Sequence, residues 1–196
     1  MASILDGDDA TQGYKNDAAV TNPATSASMV SLLKGLLTQI GASYCAKVSV
    51  TRPANTTAYT AGDVVGATLA AWEFPLIGAS GGHIIITGVD HRIDVAAIPA
   101  GMSSFRLHLY DATPPSALAD NAPWDLPAGD RASYLGFIDV GSPVDMGSTL
   151  FVQADQINKK VKLNASTSLF GYLVTNGGFT PTLSAVKTLR IHSLGV

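Results

Sequence analysis

A chain of 196 residues, 46% hydrophobic and only 14% charged, is long enough for one cored domain, and its charge lies well under the roughly 25% of an ordinary soluble domain. The net charge of −3, from 12 Lys+Arg against 15 Asp+Glu, gives no electrostatic footprint for nucleic acid, and no apolar run approaches the ~18–20 residues of a membrane span. The single cysteine, Cys45, excludes a disulfide framework and a CxxC-type metal site.

The first nine residues, MASILDGDD, lack a basic stretch followed by an apolar one, which predicts synthesis in the cytoplasm without a signal peptide. Residues 1–44 form one compositional block. Up to Thr25 the chain is rich in Asp, Ala, Thr and Asn and has few large apolar residues, so it reads as an extended arm. A helix follows. Ser26 or Ser28 can cap its start and Gly41 can stop it, and Met29, Leu33, Leu36, Leu37 and Ile40 fall on one face. So short an amphipathic helix is marginal alone and must dock on its own domain or on a neighbour.

From residue 45 to 196 the pattern changes to period two. Strands are predicted over 46–52, 68–74, 83–95, 104–110, 134–140, 150–155, 160–163, 168–175 and 186–193. The clearest, Ser104–Tyr110, sets Phe105, Leu107 and Leu109 against Arg106, His108 and Tyr110; Leu189 and Ile191 repeat the alternation. Segment Leu169–Val174 is apolar on both faces, which predicts a central strand or one covered by a neighbour. Fourteen of the fifteen acidic residues are Asp, and 19 Gly and 10 Pro accompany them, a composition suited to turns. The fold class is therefore all-β: an antiparallel β-sandwich of the jelly-roll type by strand count, with an immunoglobulin-like sandwich as the simpler alternative.

Catalytic motifs fail on context. Gly78-Ala79-Ser80-Gly81-Gly82 matches a nucleophile elbow, but a β-branched run follows where a helix is required, so a turn is expected. Asp90, Arg92 and Asp94 share a strand face opposite His91, which is read as a hydrogen-bonded interior or interface histidine. His83, His108 and His192 lie on three separate strands. Asp6-Gly7-Asp8-Asp9 lacks most positions of a calcium loop. Lys159, Lys160 and Lys162 read as a solvated hairpin. Asn55-Thr56-Thr57 and Asn164-Ala165-Ser166 match glycosylation sequons, which have no meaning without secretion. The sole Glu73 leaves no acid/base pair for sugar hydrolysis. Neither enzyme activity nor a cofactor or metal is expected. Among the aromatics, Trp72 shares parity with Phe74 and should be core. Trp124, in the proline-flanked stretch Asp120–Pro127, is either an exposed interface anchor or packed on its own sheet.

Three stretches carry a resemblance. They are Val50–Gly66; Phe105–Pro115 continued by Ala119–Ala122 and Ala132–Gly136; and Phe179–Thr182. These resemble a family of tailed-bacteriophage virion structural proteins, and the arm with Ser31–Leu37 is similar to the leader of many phage virion proteins. The resemblance implies a capsid decoration (cement) protein: a β-sandwich on the capsid surface, made in the host cytoplasm. It would bind the major capsid protein and itself, as a trimer in preference to a dimer. Leu33, Leu36, Leu37, Ile40 and Trp124 would then serve the capsid or subunit interface. The alternative is a tail, baseplate or head-fibre component contacting host surface glycans. No active residues carry over.

Overall fold

In the computed structural model, which describes residues 29–39, 42–66 and 70–196 (side chains of 35–39 excepted), the period-two segments form strands. Helix α1 (Met29–Gln39) precedes β1 (Ser43–Thr51), β2 (Trp72–Phe74), β3 (His83–Ile93), β4 (Phe105–Tyr110), β5 (Tyr134–Gly141), β6 (Val144–Asp145), β7 (Leu150–Lys162), β8 (Leu169–Thr175) and β9 (Val186–Gly195). The predicted arm and Ile40 lie outside the described residues.

The strands build two antiparallel sheets, in the orders β1-β9-β3-β7-β6 and β2-β8-β4-β5. The pairing has a simple logic. β1 pairs with β9, β2 with β8, β3 with β7 and β4 with β5, so the chain is one long hairpin whose tip is the β4–β5 connection. Rolling that hairpin on itself adds the β3–β9 and β4–β8 pairs and brings two apolar faces together. Phe105, Leu107, Leu109, Leu189 and Ile191 are fully buried in the core between the sheets, as their alternation predicted. Trp72 and Phe74 join them.

Two features depart from the sequence reading. The expected strands 150–155 and 160–163 are one strand, β7. Between Ile86↔Lys159 and Gly88↔Asp155, Thr87 alone faces residues 156–158. Gln156 (φ 59°) and Asn158 (φ 51°) absorb this bulge in left-handed backbone, a conformation that Asn tolerates better than most residues. The lysines thus lie on a strand and not in a hairpin turn. Leu169–Val174 is the expected central strand, β8, and its outer face needs no second subunit. Leu169 and Leu173 face the main core, while Tyr172 and Val174 pack with Val64 and Tyr110 under Leu118, Trp124 and Leu126. The chain's own loops form the cover. The second departure is His91, which is interior but makes no hydrogen bond among the described residues.

Glycine matters sharply at one loop contact. Gly101 has φ +86°, and a Cβ there would run into the carbonyl oxygen of Gly178. Replacing Gly101 with alanine is expected to cost about 1–3 kcal/mol for the backbone alone, read as a lower urea midpoint with an unchanged m-value.

Candidate functional site

Loop 111–133 covers the outer face of the β2-β8-β4-β5 sheet, loop 52–66 runs beside β8 through the Val64↔Val174 bridge, and one buried arginine ties the two together. Arg52 follows β1 directly, with its side chain fully enclosed. Its Nε donates to Tyr59 Oη at 2.8 Å and lies 3.4 Å from Asp120 Oδ2. Its other nitrogens donate to the carbonyl of Asn55, to Asn55 Oδ1 at 2.8 Å and to the Thr57 carbonyl at 3.2 Å. Tyr59 donates to Asp120 Oδ1 at 2.5 Å, which also accepts from the Gly66 N–H at 3.0 Å. Lys187, inward-facing beside Leu189, sits 5.9 Å from the Tyr59 ring, and its Nζ is buried without a hydrogen-bond partner. Burial pushes its pKa down to about 8, against the pull of Asp120. Two cations thus share one carboxylate inside the fold. An unsatisfied buried charge is costly.

The second cluster is aromatic. Trp124 stacks on His108, centroids 3.7 Å apart, and His108 Nδ1 bonds Tyr134 Oη at 2.9 Å. Burial, then the nearby Arg106, lowers the His108 pKa to about 4. Phe137 lies at the cluster's edge, 45% exposed, under the Arg106 guanidinium at 4.1 Å; Arg106 also pairs with Asp139 at 2.9 Å. Trp124 therefore packs on its own sheet. Substituting Trp124 by alanine should rehydrate His108 and carry its titration from about 4 back toward the ordinary value near 6.5; imidazole resonances followed across pH report the change.

The remaining sequence candidates are dispersed. Leu33 is 55% exposed and Met29 62% exposed on α1; the side chains of Leu36 and Leu37 lie outside the described set. Asp90 and Arg92 lie on the outer face of the β1-β9-β3-β7-β6 sheet, Asp90 bonded to His192 at 3.2 Å and Arg92 to Asp94 at 3.1 Å. His91 points the other way, edge-on to Phe105. Gly78–Gly82 forms the expected turn before β3. Among the described residues, no group of three or more His, Cys, Asp or Glu side chains could hold a metal ion. Sequence reasoning missed the Arg52–Asp120 pair and Lys187. Lys187 had a legible signal, since it shares parity with Leu189 and Ile191. The Asp120 contact had none, because 68 residues separate it from Arg52.

No family model matches the chain, and no curated protein matches it. Solved structures do. One similar chain comes from the acidic stable capsid structure of Helicobacter pylori bacteriophage KHP30, at 15% identity over 79% of this chain and 89% of that one, TM-score 0.28. A rhinovirus-B5 chain shares 14% identity over 94% and 86%, TM-score 0.30. A chain of the T13 IBDV viral particle shares 10% identity over 91% of this chain, which spans only 35% of that one, TM-score 0.32.

Proposed function

We propose that the chain is a non-enzymatic virion structural protein, a jelly-roll capsid decoration protein that binds the major capsid protein of a tailed phage. The nested pairing of β1–β9, β2–β8, β3–β7 and β4–β5 supports the jelly-roll reading. The observation that supports the attachment reading is the apolar surface of α1, where Met29, Leu32 and Leu33 are exposed at helical spacing. The segment before β1 is then the attachment device, and the sandwich from Ser43 onward is the displayed module. Burying one leucine contributes about 1.5–3 kcal/mol, and ordering costs about 1–2 kcal/mol per residue. A single helix therefore binds weakly, and a homotrimer supplies the avidity.

The test is co-sedimentation with purified expanded shells, alongside light scattering of the free protein. Full-length protein is expected to be trimeric and to saturate the shells. Leu33→Asp should keep the fold and the trimer but lose shell binding by about tenfold or more. Full shell affinity in Leu33→Asp and in a chain starting at Ser43 would contradict attachment through the helix.

A further inference from the structure

At the end of the sandwich holding the β4–β5 and β7–β8 connections, two depressions open side by side. Their volumes are about 250 and 270 Å³, and they share Asp111, Asn164 and Ala165 as a common wall. Thr113, Ser166 and Phe170 complete the first, and Lys162 lines the second. Together they form one groove.

Its polar groups face solvent: Asn164 and Lys162 are exposed and Asp111 is half-buried. Asp111 follows β4 directly, and its N–H donates to the Ser133 carbonyl at 3.0 Å, which fixes the backbone under the carboxylate. Partial burial raises the Asp111 pKa, and apart from its own backbone N–H nothing among the described residues donates to its oxygens. Asn164 Oδ1 accepts from the Ala165 N–H at 2.8 Å. That bond orients the amide and leaves its NH₂ without an acceptor among the described residues. Phe170 packs on the Tyr110 and Tyr172 cluster with part of its ring left to line the groove.

The chemistry narrows the ligand. A lone carboxylate in the wall disfavours an anion. Lys162 in the lining disfavours a cation, and a single carboxylate is too few ligands for a metal. What remains is an uncharged molecule with several hydroxyls. Neighbouring hydroxyls can donate to a carboxylate, accept from an amide and lay a C–H face on an aromatic ring. We propose that this groove binds a neutral hexose unit of a glycan, through Asp111 and Asn164 as hydrogen-bonding partners and Phe170 as the apolar wall. This goes beyond shell binding and is independent of it.

Saturation-transfer NMR on the full-length protein tests it, with the methyl glycosides of glucose, galactose, mannose and N-acetylglucosamine as probes at millimolar concentration. At least one should receive saturation at its ring protons. Asp111→Asn and Asn164→Ala should each weaken that binding by about tenfold or more without lowering the melting temperature, since neither side chain holds another element in place. Met146→Ala, at an exposed position just after the edge strand β6 of the other sheet, should leave it unchanged. Transfer to none of the four probes, equal binding by both groove variants, or displacement by inorganic phosphate would each overturn the assignment. Loss of hexose binding with shell binding intact would strike this inference alone.

Discussion

Replacing Asp120 with alanine is expected to destabilise the fold by about 3–5 kcal/mol, because it strands a buried charge. Arg52 would keep its bonds to Asn55 and Thr57 but lose the only carboxylate paired with it among the described residues. Tyr59 would lose the acceptor at 2.5 Å, and the Gly66 N–H its partner at 3.0 Å. Lys187, 2% exposed, would face Arg52 with no anion between them. The damage should be local first. Amides in loops 52–66 and 111–133 should lose hydrogen-exchange protection while those of β3 and β9 keep theirs. Tyr59→Phe removes one hydroxyl and should cost less, about 1–3 kcal/mol. Urea unfolding of the two variants gives both numbers; an Asp120→Ala midpoint equal to the wild type would show that the pair holds nothing.

The second large effect is acid sensitivity. His91 is fully buried, and burial, aided by the Lys187 charge, lowers its pKa from 6.5 to about 3. Both ring nitrogens lack a partner, so the folded state keeps it neutral. A base with a depressed folded pKa leaves stability intact above the unfolded value. Stability is then lost as pH falls from 6.5 toward 3, by about 4–5 kcal/mol from this group alone. His108, lowered to about 4, acts in the same direction. Lys187 works in an alkaline window. Its charged form is penalised below about 8, and raising the pH from 8 toward 10 should return about 2–3 kcal/mol. Above that, Tyr59, whose pKa is raised chiefly by burial and by Asp120, opposes the gain. His91→Leu should flatten the acid limb, and Lys187→Met should abolish the alkaline rise while stabilising the fold near neutrality. An acid limb in His91→Leu as steep as in the wild type would contradict the assignment to His91.

The sandwich was legible because alternation at Phe105–Tyr110 and Thr188–Ile191 reports which side of a strand meets the core, and that signal is local. The same parity placed His91 inside. It carried no information on partners, so the expected hydrogen bond was wrong: the surroundings that β4 supplies include the edge of Phe105. Leu169–Val174 was read correctly as covered on both faces, but the neighbour is the chain's own 111–133 loop. A loop lacks periodicity, and Tyr172 gains its bonds to Ser116 and Leu118 only by tertiary folding. The groove at Asp111 and Asn164 was invisible for the same reason. Its walls come from two connections that meet only when the hairpin rolls up. Trp124 stood out by its chemistry alone, and its stacking on His108 decided between the two readings of that loop.

The most direct measurement is a symmetry-averaged cryo-electron reconstruction of expanded phage shells incubated with the full-length protein. The account predicts a two-sheet module at fixed symmetry positions on the outer surface, with α1 buried against the major capsid protein through Leu33. Bare shells, or density confined to the tail, would contradict it.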